Sequence, residues 1–170
     1  GLHPPEVVTA VVEIPRGSRN KYELDKASGQ FRLDRVLFSA VHYPGDYGLI
    51  PRTLHLDNEP LDIIVSINEP TFPGCQIDCR PLGVLKMLDR GEPDDKIIAV
   101  PSNDPFYNEY FDIADLSQHY LKEVEHFFHI YKDLEGRRVE ILGWEKSEVA
   151  MKVILDSIVR YEEKYLRVGP

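Results

Sequence analysis

Two short loops concentrate the carboxylates of this chain. Asp57-Asn58-Glu59-Pro60-Leu61-Asp62 puts three of them within six residues, directly before a strongly apolar run, with Pro60 stiffening the entry and Asp62 at its mouth. Asp89-Arg90-Gly91-Glu92-Pro93-Asp94-Asp95-Lys96 forms a second group between two apolar runs. Carboxylates packed this closely raise one another's pKa unless a cation neutralises them. Hard divalent cations, Mg²⁺ or Mn²⁺, prefer such all-oxygen sites. The competing explanation for either loop alone is that Asp and Asn favour turns.

Charged and phenolic residues also break into otherwise apolar stretches. Glu13 ends its run, Lys21 and Glu23 share one face of the next, and Arg35 follows Leu33. Tyr43 and Tyr47 lie in a loop, Tyr43-Pro44-Gly45-Asp46-Tyr47-Gly48, and Tyr131-Lys132 closes an aromatic stretch. Strand residues two apart share a face, so Lys21, Glu23 and Asp25 point the same way. Singly, such residues are solvated or snorkel to the surface. Together they describe a polar floor for a small, highly charged phosphate anion held between metals and cations.

Short strands come first and helices last. Val7 to Ile14 is a β-branched run stopped by Pro15, and Lys21 to Asp25, Ser28-Gly29 and Phe31 to Leu33 read as a hairpin. Further strands are expected at Leu61–Ile67, at Cys75–Cys79, at Val84–Met87 after an interruption by Pro81, and at Lys96–Val100. From about residue 115 the spacing changes. Leu121, Val124, Phe128, Tyr131 and Leu134 form a helical stripe, with Asp115 or Ser117 as cap and Gly136 as its end. Arg137 to Trp144 returns to strand character, and Ser147 caps a last helix bearing Ala150, Ile154, Ile158, Tyr161 and Tyr165 on one face. The expected class is α+β, a small closed barrel with helices packed outside, although strand patterning alone does not separate barrel from sandwich. Phe127 sits about 100° off the helical stripe. It either covers the barrel or faces a neighbouring subunit, with His126 as a pH-sensitive contact.

Composition removes several other functions. The 170 residues carry 42% hydrophobic side chains, enough for one domain, and residues 1–170 are expected to form a single unit with a flexible segment at 1–6. Lys and Arg number 20 against 29 Asp and Glu, a net charge of −9, which is the wrong sign for holding nucleic acid by its phosphates. No apolar run nears the roughly 20 residues needed to cross a bilayer. Residues 1–6 lack a basic leader and an apolar stretch, so a cytoplasmic location without membrane partners is expected. Cys75 and Cys79, four apart in a strand, would lie roughly 13 Å apart. That is too far for a disulfide, so both read as buried free thiols. P-loop, dinucleotide, zinc-helix and serine-elbow motifs are missing from the sequence.

The ordered segments resemble the soluble family I inorganic pyrophosphatases from about Val8 to Tyr165. They include Val12-Glu13-Ile14-Pro15, Lys21-Tyr22-Glu23, Asp34-Arg35, Tyr43-Pro44-Gly45-Asp46-Tyr47-Gly48, the first acidic loop and Pro73-Gly74. Arg80-Pro81-Leu82-Gly83-Val84-Leu85-Lys86-Met87 follows, then Asp89, Asp94 and Lys96, Ala99-Val100-Pro101, His126-Phe127-Phe128 and Tyr131-Lys132-Asp133-Leu134-Glu135. The resemblance implies a five-stranded, OB-like barrel with flanking helices, and hydrolysis of pyrophosphate to two orthophosphates. It implies Mg²⁺, with Mn²⁺ as a substitute, held by Asp57, Asp62, Asp89 and Asp94, with Glu13 for an additional metal. Lys21, Arg35, Tyr131 and Lys132 are similar to the family's phosphate-holding residues, with Tyr43 and Glu23 beside them. Glu59, Tyr47 and Lys96 fall at catalytic or supporting positions. A homo-oligomer, commonly a hexamer in bacterial members, is implied too.

The first acidic loop departs from the family pattern, Asp-x-Asp-Pro-x-Asp, at Glu59. In the family that middle carboxylate orients and deprotonates the attacking water, and a misplacement of about 1 Å in such a group can cost about a hundredfold in rate. Two functions therefore stand side by side: a Mg²⁺-dependent pyrophosphatase, and a catalytically weakened relative that binds phosphate anions or serves as an assembly partner. Retention of Lys21, Arg35 and Asp94 favours the enzyme.

Overall fold

A computed structural model describes residues 3–167, and five strands of it close on themselves. β1 (Val8–Ile14) pairs antiparallel with β4 (Asp46–Ile50), and β4 with β5 (Leu61–Val65). β5 runs parallel to β8 (Lys96–Pro101), β8 pairs with the long β6 (Gln76–Asp89), and β6 returns to β1. A separate two-stranded hairpin, β2 (Asn20–Asp25) and β3 (Gln30–Val36), stands over one mouth of the ring. β7 (Glu92–Pro93) and β9 (Val139–Lys146) extend the sheet along β6. The expected α+β barrel is the observed one.

Three local readings need correction. Tyr43 to Gly48 is only partly loop, because Asp46, Tyr47 and Gly48 belong to β4. Gly48 makes that strand possible. A Cβ there would lie 1.9 Å from the carbonyl oxygen of Val11, so only glycine lets β1 and β4 approach. Pro81 does not split its strand: β6 runs through it by shifting register between Pro81 and Gly83, so the missing N–H breaks no ladder that the strand needs. Ser147 is the first helical residue rather than the cap, and the carboxylate of Asp112 accepts its N–H at 3.1 Å.

Helix α1 (Gln118–Ile130) is capped by Ser117 and buries Leu121, Val124, Phe127 and Phe128 against one face of the barrel. Phe127 thus covers the barrel, its ring 4.7 Å from that of Tyr43. Leu134, expected on the same stripe, lies past the helix end in a short 3₁₀ turn and is exposed. Helix α2 (Ser147–Tyr165) packs Ala150, Val153 and Ile154 on a second core containing Val8, Leu61, Ile63, Val84 and Ile97. Cys79 is fully buried and Cys75 half-buried, both as free thiols. The described part of the 1–6 segment is a turn, in which the Val7 N–H donates to the His3 carbonyl at 2.9 Å. Residues 1–2 lie outside the described residues. Among the described residues no helix is long and apolar enough to cross a membrane.

Candidate active site

The parallel pairing of β5 and β8 sets Asp62 beside Lys96. Lys96 is buried, and its ammonium donates to Asp62 at 2.5 Å, Asp94 at 2.7 Å and the Tyr47 hydroxyl at 3.0 Å. Burial pushes this amine down, but the charges of Asp62 and Asp94 outweigh it and hold its pKa well above the ordinary value. Burial raises Asp62. On Asp94 burial also raises, but the attraction of Lys96 and Lys132 prevails and the net shift is downward.

Around this centre lies a cavity of about 300 Å³. Glu13 at the end of β1, Lys21 and Glu23 on the hairpin, Tyr43 and Tyr47, Asp57, Glu59, Asp62, Asp94, Lys96, Tyr131 and Lys132 all line it. The hairpin alternation places Lys21, Glu23 and Asp25 on one face; Lys21 and Glu23 reach the cavity, as do Tyr22 and Leu24 from the other face, whereas Asp25 lines a neighbouring cleft. Burial raises Tyr43, Tyr47 and Tyr131 above the ordinary phenol value, so each hydroxyl stays protonated as a donor at neutral pH.

Two of the expected residues stand outside that cavity. Asp89 lines an adjoining cleft with Asp57, Asp94, Glu92, Arg90 and Arg137. One of its oxygens takes Lys132 at 2.6 Å and Arg137 at 3.2 Å, while Oδ1 is buried without a partner. Arg35 turns to Glu135 at 2.8 Å and Asp34 at 3.2 Å, and Lys21 lies 3.4 Å from the same Asp34. Glu135, although it closes one of the family-resembling segments, and Arg137 are not assigned a role by the sequence, because their partners lie 100 and 48 positions away.

A buried brace stands behind the two acidic loops. His55 Nε2 is 3.4 Å from Asp95, and Lys86 reaches the same carboxylate at 2.7 Å. The His55 backbone N–H donates to the Glu59 carbonyl at 2.7 Å, and from α2 the Arg160 side chain donates to the Leu54 carbonyl at 2.9 Å. The first acidic loop is therefore fastened on two sides, one of them to the residue beside Asp94.

The donor set suits a divalent cation. Asp57, Asp62 and Glu13 are oxygen donors whose burial raises their pKa, which is the penalty a bound cation relieves, and Asp89 Oδ1 is a buried acceptor with nothing to accept. Among the described residues no three of these side chains already enclose an ion, since Lys96 and Lys132 hold several of their oxygens.

Glu13 makes the penalty measurable. Burial lifts its pKa from 4.5 to about 7, against a Leu24 N–H that donates to it at 3.1 Å. The folded chain therefore binds this proton more strongly than the unfolded chain. The resulting stability is complete below about pH 4.5 and is lost as the pH rises through 7, on the order of 2–3 kcal/mol in all. In chelating buffer, urea denaturation should show stability falling by that increment between pH 5 and 8. Glu13→Gln should lack most of the fall, and an equal fall in the variant would assign it to other groups.

The sequence matches the family model described as inorganic pyrophosphatase over residues 10–162. It is 54% identical over 159 residues to an inorganic pyrophosphatase of Geobacillus stearothermophilus, covering 94% of this chain and 96% of that one. A Haloferax volcanii protein of the same name is 48% identical over 166 residues, 97% of this chain and 94% of the other. The fold superposes on the crystal structure of inorganic pyrophosphatase from Thermus thermophilus with TM-score 0.90 at 42% identity, covering 93% and 92% of the two chains. The Helicobacter pylori inorganic pyrophosphatase gives TM-score 0.91 at 41% identity, covering 94% and 96%.

Proposed function

This chain belongs to the inorganic pyrophosphatase family and hydrolyses pyrophosphate with divalent metal, and from that premise we propose how its own residues divide the work. Asp57, Asp62, Asp89 and Asp94 hold Mg²⁺, for which Mn²⁺ can substitute, and Glu13 serves an additional ion. Bound there, the metal offsets the carboxylates and the substrate's charge and lowers the pKa of a water. Glu59 accepts the proton of the attacking water. The water oxygen bonds to one phosphorus in line, the P–O bridge breaks, and the bridging oxygen leaves with its electron pair on the second phosphate. Lys21, Arg35, Tyr131 and Lys132 hold the phosphoryl oxygens, with Glu23 and Tyr43 fixing the wall around them. Tyr47 and Lys96 set the position of Asp62 and Asp94 beneath.

The observation that carries this reading is one cavity lined by Lys21, Lys96 and Lys132 together with Glu13, Asp57, Glu59, Asp62 and Asp94. A chain of net charge −9 repels a substrate of up to four negative charges, so the cations and metal must reverse the sign locally. The test is orthophosphate release from pyrophosphate with and without Mg²⁺, for this protein and for Glu59→Asp. Metal-dependent release by the unaltered protein supports Glu59 as the base. Release by the variant alone would favour the weakened phosphate-binding relative.

We also propose one domain over residues 1–170, a cytoplasmic location and a homo-oligomer, a hexamer by family resemblance. Phe127 is committed to the core, so of the two contact residues expected on α1 it is exposed His126 that can meet another copy. A 19.6 kDa species in sedimentation at micromolar concentration would rule the oligomer out.

A further inference from the structure

Glu59 stands on the divide between two clefts. It lines the carboxylate cavity, and it also lines a second cleft under the hairpin with Asp25, Lys26, Arg32 and Asp34. Its Oε2 accepts from Lys26 Nζ at 2.9 Å. Lys26 sits at the hairpin tip, in a turn fastened by Asp25, which accepts from the Ala27 N–H at 3.0 Å and the Ser28 hydroxyl at 2.8 Å. Glu59 sits in a loop equally fastened, its N–H donating to Asp57 at 3.0 Å and its carbonyl accepting from His55. Two firm pieces from separate sheets are thus joined here by a single ion pair.

The length of residue 59 creates that pair. An Asp at this position would withdraw its carboxylate by roughly 1.5 Å, one carbon–carbon bond. From 2.9 Å the gap would open past ion-pair reach. The two side chains are 64% and 65% exposed, so the pair biases an equilibrium by only about two- to fivefold. That is enough to set where a carboxylate rests and too little to resist a divalent cation.

We propose that Lys26 is a positioning residue that acts through Glu59, a clasp holding this carboxylate at the rim of the metal cavity until a divalent cation draws it in. The idea rests on the role given to Glu59 above. It adds that the family's middle Asp and this chain's Glu differ in resting position, and that the cation must displace Lys26 before the base is in place.

Calorimetric titration of Mg²⁺ into the chelator-treated protein, without substrate, tests it. Lys26→Met should tighten Mg²⁺ binding about two- to fivefold, and Lys26→Arg should match the unaltered protein. The same Lys26→Met change made on Glu59→Asp should shift binding less than half as much, because no clasp remains to release. In turnover, Lys26→Met should lower the Mg²⁺ concentration at half-saturation and leave kcat at saturating Mg²⁺ unchanged. An equal shift in both backgrounds would mean simple charge repulsion and overturn the clasp, as would no shift at all. Failure of the unaltered protein to take up Mg²⁺ would instead remove the metal-site reading, and the clasp with it.

Discussion

Lys96→Met is expected to cost the metal-free protein about 3–5 kcal/mol, a large part of its margin of stability. Lys96 is 1% exposed and satisfies Asp62, Asp94 and the Tyr47 hydroxyl together. Methionine fills nearly the same volume, so the loss is electrostatic rather than a cavity. Two carboxylates would then share a poorly solvated site with no counter-charge. The protein limits that penalty by protonating one of them, and Asp62, already raised by burial, takes the proton. Urea denaturation in chelating buffer should therefore show a smaller loss at pH 5 than at pH 8. Adding Asp62→Asn to Lys96→Met should recover part of it, since the repulsion disappears. Equal losses at both pH values, with no recovery in the double variant, would mean that Lys96 matters for packing alone.

Glu59→Gln should lower kcat by about 10²–10⁴-fold with little change in KM, the expected signature of losing a proton acceptor used only in the transition state. The amide keeps the size of the side chain and can still hydrogen-bond Lys26, so the loop should hold its shape. Glu59→Asp keeps the carboxylate and should stay within tenfold of the unaltered enzyme. The loop's anchors are the His55 and Glu59 backbone and the Asp57 side chain, none of which needs the extra methylene. Steady-state rates at saturating Mg²⁺ check both. A Glu59→Gln enzyme within threefold of the unaltered one would move the base elsewhere in the cavity.

Much of this site was legible because its chemistry is local. Lys21 and Glu23 declare a common face by alternation, and Asp57, Glu59 and Asp62 stand together within six residues. What stayed hidden depends on partners far along the chain. Ring closure pairs Val8 with Cys79, and the charge of Asp89 is held by Lys132 and Arg137, which no pattern near position 89 announces. β4 was obscured because its glycine serves the neighbouring strand, whose backbone leaves no room for a side chain. Pro81 misled for a related reason: proline stops a strand only where its missing N–H would have been used, and here the register shifts past it. The brace of His55 and Asp95 gave no signal either, since a lone histidine and a fourth acidic residue in a loop look like surface.

The parallel match of Asp62 with Lys96 also works as a proofreading step in the assembly of the sheet. A slip of one residue would exchange the inner and outer faces of a strand and set Ile63 or Leu61 against the lysine. The lysine would keep Asp94, two residues away in its own segment, but lose Asp62, leaving a buried ammonium short of one of its two counter-charges. Strands from distant parts of the chain can find several apolar alignments of similar worth, and this charge pair favours the one in which Asp62 meets Lys96. The same two residues that floor the reaction chamber therefore disfavour the misaligned barrels in which no chamber would exist.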